Sequence, residues 1–295
     1  MDCPSKLGIR SREIEDFDKD DVVNLLSGLG YPKEYFRQVF DRLRQHPTPE
    51  GFPKYGYVLT SRGTIVGAIL LIFSTIHSAG ASTIRCHVTS WYVESDFRSY
   101  AALFFSRALK LSGVTYLNIS ARSAALPIVK VQGFSKYSNG QFASIPLLHL
   151  LSASADSRAE VIGVDTIPDA EYEPFEQEVL LAHDKYGCIC LWCIGSGRAF
   201  PFVFQPRYFK GFVPGVQLVY CRDVEDFVRF VRPIGVFLAS RGKFVVRLDA
   251  NGPISGVAGR YFEGMEPRYY KGLKPRLGDL TYTQTVMCPH IRKGR

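Results

Sequence analysis

The chain has 295 residues, of which 46% are hydrophobic and 22% charged, and its formal net charge is +8. This composition supports a sizeable buried core in one large or two ordinary domains, and it excludes an intrinsically disordered chain. The charge is spread, with 17 Lys and Arg against 12 Asp and Glu in residues 1–150 (net +5) and 19 against 16 in the remainder (net +3). Such an excess fits an anionic ligand better than nucleic acid, which normally requires a concentrated basic patch.

The sequence shows neither a membrane span nor a secretory signal. The apolar run at residues 65–76 contains a glycine and is shorter than the ~18 residues that cross a bilayer. The first ten residues lack the apolar segment of a signal peptide. The seven cysteines are an odd number, and Cys188, Cys190 and Cys193 lie in one apolar run. We therefore expect buried, reduced thiols, no metal site and a cytoplasmic location.

The first 80 residues predict an edge strand, two helices, a loop and a β-hairpin. The helices carry apolar residues at helical spacing, such as Val22, Val23 and Leu26 in the first. The hairpin has Gly63 in its turn. The predicted bounds are 9–14 for the edge strand, 18–29 and 32–43 for the helices, 46–54 for the loop, and 55–59 and 64–76 for the hairpin strands.

Residues 84–109 combine a strand with a helix. Residues 86–93 are rich in Val, Thr, Trp and Tyr, and the helical pattern begins at Asp96. Residues 114–120 predict the next strand, so the two strands should be parallel with the helix between them. Because the first N–H groups of a helix are unpaired, the turn between strand and helix is predicted to bind an anion.

The second half of the chain repeats the first at an offset of about 130 residues. Gly187, Asp226 and Gly264 follow Gly56, Asp96 and Gly133 at offsets of 131, 130 and 131. This spacing predicts two copies of one α+β domain, residues 1–151 and 152–295. Closing strands are predicted in residues 136–151. Residues 259–273 interleave aromatic and basic side chains, which predicts either a ligand-stacking segment or a helix and loop that close the second domain.

The element order and the helix start resemble the GNAT superfamily of acyl-CoA acyltransferases. The family's motif is Gln/Arg-x-x-Gly-x-Gly/Ala after a strand; here Arg98 matches, and Ala101 and Leu103 stand at the glycine positions. The resemblance implies two GNAT-like domains. Each would be a mixed, mostly antiparallel sheet flanked by helices, with a parallel βαβ unit at the cofactor-binding turn.

The resemblance further implies that the first copy binds acetyl-CoA or another acyl-CoA as co-substrate, without a metal. The backbone N–H groups of the turn would contact the pyrophosphate, and the pantetheine arm would lie along the preceding strand. The residues that it implies for cofactor binding are Trp91, Tyr92, Val93, Arg98, Ser99, Tyr100, Ala101, Ala102 and Leu103.

The candidates for proton transfer are His87, Tyr92 and Glu94. The family's tyrosine before the last Gly-Phe is replaced by Val129, and residues 84–93 contain no glutamate. Histidine titrates near neutral pH, which suits a general base. A structural histidine in the core is the alternative interpretation of His87.

We therefore predict an acyl-CoA-dependent acyltransferase that acts on an amine or hydroxyl of a small molecule or protein. The second copy has Val228 and Pro233 at the positions of Arg98 and Leu103. It is expected to have lost coenzyme binding, because proline has no N–H to donate. We expect a monomer whose two copies form a pseudo-dimer, and neither a membrane nor a nucleic-acid partner. The alternative is a non-catalytic acyl-CoA-binding or interaction protein with a degenerate GNAT fold.

Overall fold

The structure, a computed structural model, describes residues 8–78, 81–121, 123–150, 159–209 and 211–287. Packing divides them into two compact units. Unit 1 contains residues 8–135, Tyr269–Lys274 and residues 282–287, and unit 2 contains Lys136–Arg268 and Pro275–Thr281. The predicted boundary between residues 151 and 152 lies outside the described residues. In the described part of the chain, no helix is long and apolar enough to cross a lipid bilayer.

The sheet of unit 1 is mixed. Its strands are antiparallel in sequence order up to β4, β4 and β5 are parallel, and the end of β12 pairs antiparallel with β5. The central strand β3 is long and rich in β-branched residues, which suits a strand that is covered on both faces. The strands are β1 (Ile9–Glu13), β2 (Gly56–Ser61), β3 (Thr64–Ser78), β4 (Ala81–Val93), β5 (Val114–Asn118) and the end of β12 (Gly259–Lys271).

Four described helices belong to unit 1. The amphipathic helix α2 buries Phe36, Val39, Phe40 and Leu43, a spacing of three and four residues that covers one face. Helices α3 and α4 supply Phe104, Phe105 and Val129 to the core that also contains side chains of β4 and β5. The helices are α1 (Lys19–Leu26), α2 (Lys33–Gln45), α3 (Ala101–Ala108) and α4 (Leu126–Val131).

A buried histidine ends α2. His46 is 2% exposed, and its Nε2 lies 3.0 Å from both the carbonyl oxygen of Phe73 and the hydroxyl oxygen of Ser74. Burial is the main cause that lowers the pKa of His46 to about 4. The charge of Lys54 lowers this pKa further, whereas the hydrogen bond with the backbone of Phe73 raises it. The folded protein therefore keeps this imidazole neutral at neutral pH.

We expect acid to destabilise the protein through His46. In the unfolded chain this side chain has a pKa of 6.5, so it takes up a proton at a pH where the folded protein does not. The stabilising contribution is present above pH 6.5 and is lost as the pH falls from 6.5 to 4, by about 3 kcal/mol in total. Urea denaturation at pH 7 and pH 4.5 measures this loss. The His46→Gln variant should lose less stability over the same interval, and an identical loss in both proteins would contradict the assignment.

The sheet of unit 2 repeats the strand orientations of unit 1. Strands β7 to β10 are antiparallel in sequence order, β10 and β11 are parallel, and β6 pairs antiparallel with β11. The first part of β12 lies next to β6. The strands are β6 (Ser135–Ser144), β7 (Glu160–Gly163), β8 (Ile189–Gly195), β9 (Arg198–Phe209), β10 (Val213–Cys221), β11 (Val245–Ala250) and β12.

The helices described in unit 2 are α5 (Pro174–Asp184), α6 (Val224–Arg229) and α7 (Val231–Ala239). The core packs α6 and α7 against the sheet through Phe227, Phe230 and Leu238. The cysteines of unit 2 are buried, and burial raises the pKa of the Cys190, Cys193 and Cys221 thiols.

Two predictions about β6 and β12 differ from the structure. In the predicted segment 259–273, residues Gly259–Lys271 form the strand β12 rather than a helix and loop, because the end of this strand pairs with β5 and its first part lies next to β6. The predicted closing strand in residues 136–151 exists as β6, but it belongs to the sheet of unit 2, where it pairs with β11. The antiparallel partner of β5 in unit 1 and the antiparallel partner of β11 in unit 2 therefore each come from the other half of the sequence.

Candidate functional site

The strand β4 has a free edge over its last six residues. It pairs with β3 along its length but with β5 only from Ile84 to His87, where His87 lies opposite Leu117. Among the described residues, no backbone hydrogen bond joins residues 88–93 to any segment on the β5 side. The backbone N–H and C=O groups on this edge are thus available to an extended ligand.

A β-bulge lies in the middle of this free edge. Thr89 pairs with Leu70, and Tyr92 pairs with Ala68. Two residues of β4, Ser90 and Trp91, therefore lie opposite one residue of β3, Ile69. Ser90 has φ 45°, which is uncommon for a residue other than glycine. The bulge directs the ring of Trp91 onto Phe105 of α3, with centroids 4.7 Å apart. The indole Nε1 is buried and has no acceptor among the described residues.

The turn after β4 differs from the prediction. A 3₁₀ helix spans Ser95–Tyr100, and the α-helix begins only at Ala101 rather than at Asp96. The N–H of Ala101 donates to the carbonyl of Arg98, and the N–H of Phe97 donates to the carbonyl of Glu94. The N–H groups of 3₁₀ residues are used within the turn, so fewer donors are free than a regular helix start would offer.

Exposure along this turn separates its residues into two sets. Arg98, Ser99, Ala102 and Leu103 are exposed, with Leu103 at 71%, whereas Tyr100 and Ala101 are partly covered. The exposed residues follow the end of β4 directly in the chain, and Arg98 is five residues after Val93, the last residue of the strand. The predicted cofactor residues are therefore close in space because they are contiguous in sequence.

The three candidates for proton transfer do not form one cluster. His87 is 1% exposed, and Cys86 and Val88 on either side of it belong to the core under α3, so its side chain points to the opposite face. Tyr92 leans on Gly28, where an added Cβ would lie 3.2 Å from the tyrosine hydroxyl oxygen. A β-rise of about 3.3 Å per residue puts His87 roughly 13 Å or more from Tyr92 along the strand. Of the three candidates, only Tyr92 and Glu94 lie at the end of β4.

Unit 2 contains the counterpart of β4 in β10. This strand pairs with β11 only from Gly215 to Gln217, and its register with β9 shifts between Leu218 and Tyr220. The helix α6 begins after Asp223, which accepts from the N–H of Glu225. Val228 lies within α6 and Pro233 is the third residue of α7. The bulge in β4 and the partner of the β10 edge, residues 278–280, were missed from the sequence.

Neither family models nor curated proteins match this sequence. Solved structures match its fold. A candidate acetyltransferase from Pyrococcus horikoshii aligns over 93% of this chain and 93% of its own, with a TM-score of 0.55 and 14% identity. A GCN5-related N-acetyltransferase from Anabaena variabilis aligns over 89% of this chain and 72% of its own, with a TM-score of 0.54 and 8% identity. One from Kribbella flavida aligns over 91% and 72%, with a TM-score of 0.53 and 13% identity.

These likenesses show the fold. The chain has the α+β fold of the GCN5-related N-acetyltransferases, as the resemblance in its sequence implied. At identities of 8–14%, they do not transfer an activity or a site residue to this chain.

Proposed function

We propose that unit 1 is an acyltransferase module that binds acyl-CoA along the free edge of β4 and transfers the acyl group to an amine or hydroxyl acceptor. The observation that carries this proposal is the free edge itself, which leads directly into the turn at Ser95–Tyr100. When bound, the coenzyme would supply the acyl group as a thioester. The fold of GCN5-related N-acetyltransferases supports the same assignment.

The residues at the edge and turn fit such a ligand. Residues 91–93 offer backbone N–H and C=O groups to an amide-containing chain, as a peptide would meet at a strand edge. The buried Nε1 of Trp91 is a donor that an acceptor on the ligand could satisfy. The exposed guanidinium of Arg98 and the first N–H groups of the turn suit a phosphate. Residues 99–103 would form the rest of this contact, with the N–H of Ala101 already bonded to Arg98.

For proton removal from the acceptor, the strand end offers Tyr92 and Glu94. Glu94 is partly exposed, and its backbone N–H is held by the carbonyl of Val66 at 2.9 Å. A carboxylate in this position could accept a proton directly or through one water. His87 is buried at a position where β4 still pairs with β5, so Tyr92 and Glu94 are the candidates at the free end of the strand.

The second candidate function is a non-catalytic acyl-CoA-binding module with the same fold. The burial of His87 and the packing of Tyr92 on Gly28 favour this second function, because both side chains then contribute to the packing of the fold and not to proton transfer. Release of free thiol from acetyl-CoA in the presence of amine mixtures separates the two functions. A protein that binds the coenzyme but releases no thiol above the uncatalysed rate is the binding module.

Coenzyme binding is tested by calorimetric titration with coenzyme A. We expect Arg98→Glu to weaken binding by at least tenfold, since it replaces a cation next to the phosphates with an anion, at a cost of about 1.5–3 kcal/mol for a charge-assisted contact. Arg107→Glu is the matched control, because Arg107 is a likewise exposed arginine in the last turn of α3, at the end opposite the 3₁₀ turn that contains Arg98. Equal affinity of the two variants, or no binding by the wild-type protein, would refute the proposed site.

A further inference from the structure

The edge of β10 that corresponds to the free edge of β4 is covered by the chain itself. The N–H of Leu280 donates to the carbonyl of Val219 at 2.7 Å, and the N–H of Cys221 donates to the carbonyl of Gly278 at 3.0 Å. Tyr220 and Asp279 form an antiparallel bridge between these two bonds. Residues 278–280 thus form one antiparallel bridge with β10, flanked by its two backbone hydrogen bonds.

The two edges are equivalent in their own sheets. Each belongs to a strand that pairs antiparallel with the strand before it, pairs parallel with the strand after the next helix, and loses the parallel partner partway, after His87 in β4 and after Gln217 in β10. Each strand also has a register shift near the point where the partner is lost. In the described residues, only the edge in unit 2 carries a backbone partner.

The segment that covers the edge of β10, residues 276–281, is held by side chains as well as by its backbone. Arg276 donates through its guanidinium to the carbonyl of Cys221 and lies over the ring of Tyr220 at 5.0 Å. Asp279 is 5% exposed and accepts from both the N–H and the hydroxyl of Thr281, at 3.2 and 2.8 Å. These contacts order the turn that delivers the segment to β10.

Gly278 shows how closely the segment approaches the strand. It has φ +77°, and an added Cβ would lie 2.7 Å from the sulfur of Cys221. A side chain at this position would therefore push the segment away from β10. The glycine meets both requirements, since it adopts a positive φ without strain and has no Cβ.

We propose that the edge of β10 is a peptide-binding groove whose resident ligand is residues 276–281 of the same chain. Strand addition gives this ligand its affinity through main-chain hydrogen bonds. The segment occupies in unit 2 the place that the coenzyme's amide-containing arm takes in unit 1, and for that comparison the inference rests on the proposed function. The chain consequently binds one coenzyme and not two, and unit 2 serves to anchor its own C-terminal segment.

Amide hydrogen exchange on the full chain tests the resident ligand. In the wild-type protein, the amides of Cys221 and Leu280 should exchange as slowly as the amides paired between β9 and β10. Leu280→Pro removes the donor to Val219 and should speed exchange at Cys221 by at least tenfold. Lys274→Pro is the matched control, because Lys274 is exposed and makes no hydrogen bond among the described residues; it should leave exchange at Cys221 unchanged.

Titration of the wild-type protein with coenzyme A tests whether only the edge of β4 in unit 1 is open to the coenzyme. One molecule should bind per chain, with slower exchange in residues 88–103 and unchanged exchange at Cys221 and Leu280. Two molecules per chain, or faster exchange at Leu280 on binding, would overturn the inference. If no coenzyme binds, the proposed function fails. The exchange rates of Cys221 and Leu280 still decide whether residues 276–281 are bound to the edge of β10. If the Leu280→Pro variant does not fold, the exchange rates of the wild-type protein alone test the inference. Fast exchange at Cys221 and Leu280 in the wild-type protein would overturn it.

Discussion

Replacing Phe105 with alanine is expected to lower the free energy of unfolding by about 3–5 kcal/mol, the range for truncating a buried Phe. Phe105 is fully buried in α3, and its ring lies 4.7 Å from that of Trp91 and 6.1 Å from that of Phe134. The cavity would remove the surface on which the bulged part of β4 rests. Coenzyme affinity should therefore fall together with stability, because the free edge of β4 would lose its fixed direction.

Chemical denaturation measures the loss of stability, and calorimetry measures the affinity at a temperature where the variant remains folded. Val131→Ala is the matched control, since it also removes apolar atoms from a helix of unit 1 but at a side chain that is 83% exposed. The control should change stability by less than about 0.5 kcal/mol. A Phe105→Ala variant that matches the control in stability would show that α3 does not support β4 as described.

Replacing Arg268 with methionine is expected to destabilise the protein by about 3–5 kcal/mol, because it leaves a buried carboxylate without its cation. Arg268 is 1% exposed and Asp249 is 3% exposed. The Nε of Arg268 lies 3.0 Å from Oδ1 of Asp249, and the side-chain amide of Gln141 donates to the same oxygen. Burial acts against the charge of Arg268, but the charges of Asp249 and Glu266 hold its pKa above the ordinary value.

The pH dependence of the Arg268→Met variant separates a charge effect from a packing effect. With the cation gone, the buried carboxylate of Asp249 has no partner charge, and acid removes the cost of that unpaired charge, so acid should reduce the difference from wild type. Lys19→Met is the control, since Lys19 and Asp41 form a pair at 2.8 Å in which both side chains are partly exposed. It should cost at most about 1 kcal/mol. A loss that is large and independent of pH would identify packing as the cause.

The class of fold and the strand, turn and helix around the candidate site were predictable because they depend on contiguous residues. The β-pattern of residues 86–93, the polar turn at Glu94–Asp96 and the apolar residues of α3 are periodic over short windows. The helix start was placed five residues too early, since the pattern around Phe97 suits a 3₁₀ turn as well as an α-helix. The bulge at Ser90 has no local signal, because serine is compatible with an ordinary strand.

The strand β12 was misassigned for a related reason. Its alternation of side chains is interrupted at Glu266, which has φ 47°, and most of its first half is exposed. A strand that does not bury one continuous face lacks the period of two from which strands are recognised. Its identity comes from its backbone partners, which include Leu117 and Asn118 at its far end.

By itself, the sequence determined the α+β class and the strand and helix that enclose the turn at Arg98, because each depends on side chains that are neighbours in the chain. Only the tertiary structure decided which strand edges stay free. The edge of β4 lacks a backbone partner among the described residues, whereas Val219 and Cys221 in β10 bond to Leu280 and Gly278. Backbone hydrogen bonds between distant segments carry no side-chain pattern, so the contrast between the two edges became visible only in the folded chain.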